Sequence, residues 1–169
     1  MRLEPILVAA LAAALAAALA AALILPGCES GGDAAVRGQL VYDLKPATLK
    51  GADKVGIYAD GSVCFYNGGA YATEQVPFEK GEYRIALVTK SDVAGGEGAR
   101  MKVSIGGRVI GDFFSPADFS EIVLPFTSDK AQSLPITFTY VNDFYDAAKK
   151  EDRNAWVKAI RIVRMPVKR

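Results

Sequence analysis

Two patterns meet in the stretch LPITFTYVNDFYDAAKKEDRNAWVKAIRIV, residues 134–163. Leu134, Ile136, Phe138 and Tyr140 alternate with polar or smaller residues, the period of a strand with one buried face. Val157, Ile160 and Ile162 supply a second apolar strand. Between the two runs, Asn142, Asp143, Asp146, Glu151, Asp152 and Asn154 gather oxygen-bearing side chains in one short connection. Core strands at both ends keep those oxygens from drifting apart in water. Within the connection, Asp146–Asp152 reads as the one helical candidate of the chain, about two turns at most.

Outward from this stretch the chain reads as strands and turns. Leu40, Tyr42 and Leu44 alternate and stop at Pro46. Asp60-Gly61 between Val55–Ala59 and Ser62–Tyr66 is a hairpin signal. Thr73–Phe78 contains Pro77, which suits an edge strand because proline cannot donate to a ladder. Tyr83–Thr89 alternates clearly, and Ser91–Ala99 is a glycine-rich loop with Asp92 and Glu97. Arg100–Ile105 places Met101, Val103 and Ile105 on one face, before a Gly106-Gly107 turn into Arg108–Ile110. Phe119–Phe126 and Gln132–Val141 follow, separated by the polar turn Thr127–Lys130. Many short strands with turn signals between them predict an all-β sandwich or barrel.

Composition excludes several chemistries. The chain has 20 Lys plus Arg against 19 Asp plus Glu, so nothing in its charge favours nucleic acid as a partner. It has no histidine, which removes Ser-His-Asp and Cys-His catalysis and the commonest zinc ligand. Of the two cysteines, Cys64 lies in a β-rich run and reads as a buried, inert thiol. A glycosidase would need two opposed carboxylates in a cleft. For the oxygen cluster two readings stand on the residues alone. Hard oxygen donors suit Ca²⁺, which takes six to eight oxygens. Equally, Asp and Asn side chains cap solvated turns. The glycine and glutamate spacing of an EF-hand is absent.

Apolar alternation ending in Asn142-Asp143, a short insertion, then Asp152-Arg153-Asn154 and a closing strand resembles the calcium-dependent, xylan-binding carbohydrate-binding modules, families 60 and 36. Phe78-x-x-Gly81-x-Tyr83-x-Ile85-x-Leu87 resembles one strand of that family, and Met101-x-Val103-x-Ile105-Gly106-Gly107 its next strand and turn. The likeness runs from about Val55 to Val163. It implies a jelly-roll-like β-sandwich, Ca²⁺ as cofactor, a polysaccharide such as xylan as partner, and a binder, not an enzyme. By carry-over, Asn142 and Asp143 match the family's Asn-Asp, and Asp152 and Asn154 its Asp-x-Asn. Asp143 and Asp152 are the implied carboxylate ligands, with Asn142, Asp146 and Asn154 next. Arg153 has no acceptor and reads as a structural partner that orients a carboxylate. In that family a sugar's vicinal hydroxyls complete the calcium shell. Phe144 and Tyr145 are the expected stacking rings; Trp156 is either a platform or a core residue, with core ahead; Phe113 and Phe114 stay open.

The N-terminus reads as targeting sequence. Ile6–Leu25 is uncharged and apolar after Arg2, and Leu25-Pro26-Gly27-Cys28 resembles the lipobox of bacterial lipoproteins. The expected organisation is a signal peptide over 1–27, a flexible tether over 28–36 and the sandwich over 37–169. Lipid on Cys28 would anchor the domain to a membrane of the cell envelope, outside the cytoplasm. An uncleaved membrane helix is the alternative. The competing function is a structural envelope lipoprotein whose calcium-stabilised sandwich binds a protein partner.

Overall fold

The second apolar run becomes the axis of a sheet. In the computed structural model, which describes residues 38–49 and 55–167, the strands are β1 (Gln39–Leu44), β2 (Val55–Ile57), β3 (Val63–Phe65), β4 (Gly69–Phe78), β5 (Gly81–Ser91), β6 (Arg100–Ile105), β7 (Arg108–Phe114), β8 (Ser120–Ser128), β9 (Gln132–Tyr140), β10 (Phe144–Asp146), β11 (Glu151–Arg153) and β12 (Ala155–Arg164). The expected signal segment, tether and Cys28 lie outside the described residues. β12 pairs with β5 along one edge; its other edge is shared by β3 at Ala155–Val157 and β1 at Ile160–Arg164. Adding β2 and β8 gives a six-stranded sheet, and β4-β9-β6-β7 form a four-stranded one. All the pairings are antiparallel.

The alternation explains the layering. Ile85, Leu87, Ile160 and Ile162 from the six-stranded sheet share one buried cluster with Met101, Val103, Ile136 and Phe138 from the other. Each such side chain contributes roughly 1.5–3 kcal/mol when fully buried, and this common face makes the fold a β-sandwich. β4 is an edge strand, as Pro77 predicts. Gly106 and Gly107 have φ of 56° and 84°, the left-handed pair that lets β6 return directly as β7.

Two expectations are corrected. Asp146–Asp152 is not helical: β10 and β11 form a hairpin, with Tyr145 opposite Asp152 and Asp146 opposite Glu151. Asp146 Oδ1 accepts the N–H groups of Ala148 and Lys149, and Lys150 takes a left-handed φ of 57°, so the chain reverses at once. So short a helix would also face an unfavourable nucleus. Trp156 is not in the core. Its neighbours Ala155 and Val157 point into the cluster, which turns Trp156, half-buried, to the sheet's outer face. Cys64 is buried in β3 and unpaired; burial above all, with the Asp92 and Asp152 charges, pushes its thiol up to about 12.

Candidate cation and carbohydrate site

One end of the sandwich carries the acidic connection. Tyr140 ends β9 there, opposite Gly69 of β4 and Met101 of β6, and Ala155 starts β12 opposite Ser91 and Phe65. The connection is clamped to the neighbouring loop by Arg153, a residue only 5% exposed. Its guanidinium donates to three carbonyls, those of Glu97, Asn142 and Ala94. Arg153 is a structural partner, as expected: it forms an ion pair with the Glu97 carboxylate at 3.9 Å, while backbone oxygens take its hydrogen bonds. The Phe144 ring lies 5.1 Å from the guanidinium, so one aromatic face is already occupied. Gly95, at φ 59°, is required beside this stack; a Cβ there would meet Phe144 at 3.2 Å. Tyr140 donates its hydroxyl to the Arg153 carbonyl, and burial followed by the Asp143 charge holds that phenol above its ordinary range.

The expected oxygen donors do not share one place. Asn142 Oδ1 accepts the Arg100 N–H, and its Nδ2 donates to the Gly98 carbonyl at 3.1 Å and Glu97 at 3.3 Å. Asp143 Oδ2 accepts the Gly68 N–H at 3.2 Å. Asp146 serves the hairpin turn, with the Lys149 ammonium 3.7 Å away. Glu151 accepts the Gly95 N–H at 2.8 Å. Among the described residues, no three His, Cys, Asp or Glu side chains gather as a metal centre.

What does come together is Asp152, Asn154 and Asp92, the last from the glycine-rich loop after β5. Asn154 Nδ2 donates to Asp152 Oδ2 at 3.2 Å and to Asp92 Oδ2 at 3.3 Å. Asn154 is only 8% exposed, and its Oδ1 has no hydrogen-bond partner among the described residues. A buried carbonyl without a donor costs about 1–3 kcal/mol. This orphan bears directly on a cation. Turning the amide by half a turn exchanges atoms of similar size and sets Oδ1 beside both carboxylates. Two carboxylates and one amide oxygen are the donor set of a hard divalent cation that keeps other positions for water or ligand. The set fits Ca²⁺, with Asp92, Asp152 and Asn154 as the residues that would hold it.

Aromatic rings flank this cradle. Tyr145 is 71% exposed and stands cross-strand from Asp152, on the same hairpin face. Trp156 Nε1 donates to Asp92 Oδ2 at 3.1 Å. Asp92 was missed because it lies 62 residues from Asn154 along the chain, and no local spacing reports such a meeting. Phe113 packs against the core, whereas Phe114 is exposed with the Arg100 guanidinium 6.0 Å from its ring.

Comparison with known proteins extends the sequence resemblance. Among solved structures, the CBM36-1 domain of a multidomain xylanase from the hindgut metagenome of Trinervitermes trinervoides matches with a TM-score of 0.52 and 17% identity, over 75% of this chain and 100% of that one. The CBM6cm-2 module of Cellvibrio mixtus lichenase 5A, solved with cellotriose, matches with a TM-score of 0.50 and 14% identity, over 76% and 100%. A ruminal GH26 endo-beta-1,4-mannanase matches with a TM-score of 0.51 and 11% identity, over 75% of this chain but 26% of the enzyme. At these identities the likeness is one of fold. No curated protein matches the sequence. The profile of CBM60, described as a Ca-dependent, xylan-binding carbohydrate-binding module, matches residues 86–166, a span that contains Asp92, Tyr145, Asp152, Asn154 and Trp156. Over that span the chain matches the CBM60 family, and its fold is a β-sandwich like that of its CBM36 and CBM6 neighbours.

Proposed function

We propose that this protein is a membrane-anchored, calcium-dependent carbohydrate-binding module for a β-linked, xylan-like polysaccharide. The observation that carries the reading is the orphaned Asn154 Oδ1 between Asp92 and Asp152, with Tyr145 and Trp156 on either side. Bound Ca²⁺ would supply a Lewis-acidic point where neutral sugar hydroxyls can replace water. The chain's own residues do the rest. Asp92 and Asp152 provide charge, Asn154 a neutral oxygen, and Tyr145 a ring that a sugar's C–H face can cover. Asp143, Asn142 and Asp146 would serve as outer supports, since backbone N–H groups already engage their oxygens. The domain binds and does not cleave. Affinity in the millimolar to micromolar range, on the order of −4 to −8 kcal/mol, suits one diol and one ring.

Titration of soluble xylan into the protein, with millimolar Ca²⁺ and again with chelator, tests this. Binding with calcium and none with chelator is expected; equal binding in both rules out the ion as the recognition element. A second reading, a structural lipoprotein with a protein partner, draws on one observation: Arg153 and Asn142 hold the loops together through protein groups alone. It takes over if no glycan binds in either buffer.

The anchor belongs to the same proposal and rests on Leu25–Cys28. Intact mass of protein extracted from membranes should show a chain beginning at Cys28 and carrying acyl groups. A full-length, unmodified mass would leave an uncleaved membrane helix in its place.

A further inference from the structure

The outer face of the six-stranded sheet holds a second arrangement, which adjoins the cation cradle and shares Trp156 with it. Trp156 lies in a cross-strand row between Cys64 on β3 and Lys90 on β5. The Tyr58 ring sits 4.7 Å from the Trp156 ring, tilted by 51°, and its hydroxyl meets that of Tyr66 at 2.8 Å. Phe119, just before β8, extends the aromatic surface in the other direction. Tyr58, Tyr66 and Phe119 are all exposed. Two ammonium groups stand among these rings. Lys90 Nζ is 4.5 Å from the Trp156 ring and 5.3 Å from Phe119, and Lys158 Nζ is 5.2 Å from Phe119.

The charges around these lysines are unequal. Lys158 pairs with Asp60 at 3.2 Å. Asp92 Oδ2 is engaged by Trp156 Nε1 and Asn154 Nδ2. Lys90, half-buried, makes no ion pair among the described residues, and only ring faces partner its ammonium. A cation held at a fixed place among exposed rings is a point where an anion bound to a flat, C–H-faced ring would gain both contacts at once. The rings suit the faces of pyranoses, and the spare positive charge selects the acidic ones. The surface is continuous with the cradle, because Trp156 and the candidate cation ligand Asp92 share a hydrogen bond.

We propose that the Tyr58–Trp156–Phe119 surface binds a carboxylated sugar unit, a uronate carried on or within the polysaccharide, with its carboxylate on Lys90. This deepens the carbohydrate-binding reading and rests on it. It makes the ligand an acidic rather than a neutral glycan.

The test uses two polymers that differ in one group: a uronate-bearing xylan, and the same xylan after its carboxyl groups have been reduced to alcohols. Both are titrated into the full chain in millimolar Ca²⁺. The acidic polymer should bind roughly three- to tenfold more tightly, the scale of one partly exposed ion pair. Raising the salt concentration should shrink that preference. Lys90→Gln should bring the two affinities together, and Lys158→Gln, whose ammonium already has a partner, should reduce the preference less. Circular dichroism of both variants confirms folding, and the Lys158 variant keeps the comparison usable if the Lys90 variant misfolds. Equal affinity of the wild type for the two polymers would overturn the proposal while leaving the carbohydrate-binding reading intact. A preference that survives Lys90→Gln would also overturn it. Binding to polyglutamate as tight as to the acidic xylan would show that charge alone is read, and would sink it too. Failure of both xylans to bind removes this proposal together with the reading beneath it.

Discussion

Arg153→Ala lowers the unfolding free energy by about 3–5 kcal/mol, the largest effect expected of any single substitution at this site. Arg153 is 5% exposed, and its guanidinium donates to three backbone carbonyls, on Ala94, Glu97 and Asn142. Hydrogen bonds from a charged donor contribute roughly 1.5–3 kcal/mol each, and their loss strands buried acceptors. Water entering the vacated space offsets part of this. The Phe144 ring also loses its cation. Thermal denaturation should show a midpoint lower by roughly 10 °C or more. Arg153→Lys should fall between the two, because one ammonium cannot span three separated carbonyls. The loss should be as large in chelator as in calcium, since the clamp is made of protein groups. A midpoint within about 2 °C of the wild type would mean that the two loops do not depend on this clamp.

Calcium should raise the melting temperature of the wild type and leave that of Asp152→Ala and Asp92→Ala unchanged. A ligand held only by the folded state stabilises it by mass action, about 2.7 kcal/mol at a hundred times its dissociation constant. For a domain of this size that is roughly 5–15 °C. The two variants remove the carboxylates that meet at Asn154 Nδ2. Asn154→Ala should act the same way, since it deletes the orphaned oxygen. Asp143→Ala should retain most of the rise, because that carboxylate engages the Gly68 N–H. Tyr145→Ala should retain all of it while weakening xylan binding, because an exposed ring stacks on sugar and is no metal ligand. A rise that disappears with Asp143→Ala and survives Asp92→Ala would relocate the ion to the Asn-Asp side of the connection. Identical melting curves in chelator and in millimolar calcium would mean that the acidic connection only caps turns.

Local residue spacing is enough to predict the layers of this fold. Leu134–Tyr140, Tyr83–Thr89 and Arg100–Ile105 alternate with period two, and each forms a strand with its apolar side in the shared core. Asp60-Gly61, Gly106-Gly107 and Pro77 mark two turns and an edge, because left-handed φ and a missing N–H are properties of single residues. These features are local, so local text carries them. It also contains most of the candidate site, since Asp152, Asn154, Tyr145 and Trp156 lie within twelve residues, as their numbers 145–156 show.

How those residues are used follows from the way the strands pair. The spacing of three from Val157 to Ile160 breaks strand alternation; a bulge between Val157 and Ala159 absorbs it and turns Lys158 outward. Asp146–Asp152 became a hairpin because its own aspartate engaged the turn's N–H groups. Trp156 went to the outer face because Ala155 and Val157 took the inner one. Asp92 entered the cradle because β5 and β12 pair in a register that sets Ser91 opposite Ala155. A carboxylate's partners depend on which strands lie side by side, and that is set by the burial of both sheets at once. No window of sequence contains that information, so the donor set could be read only after the strands were in place.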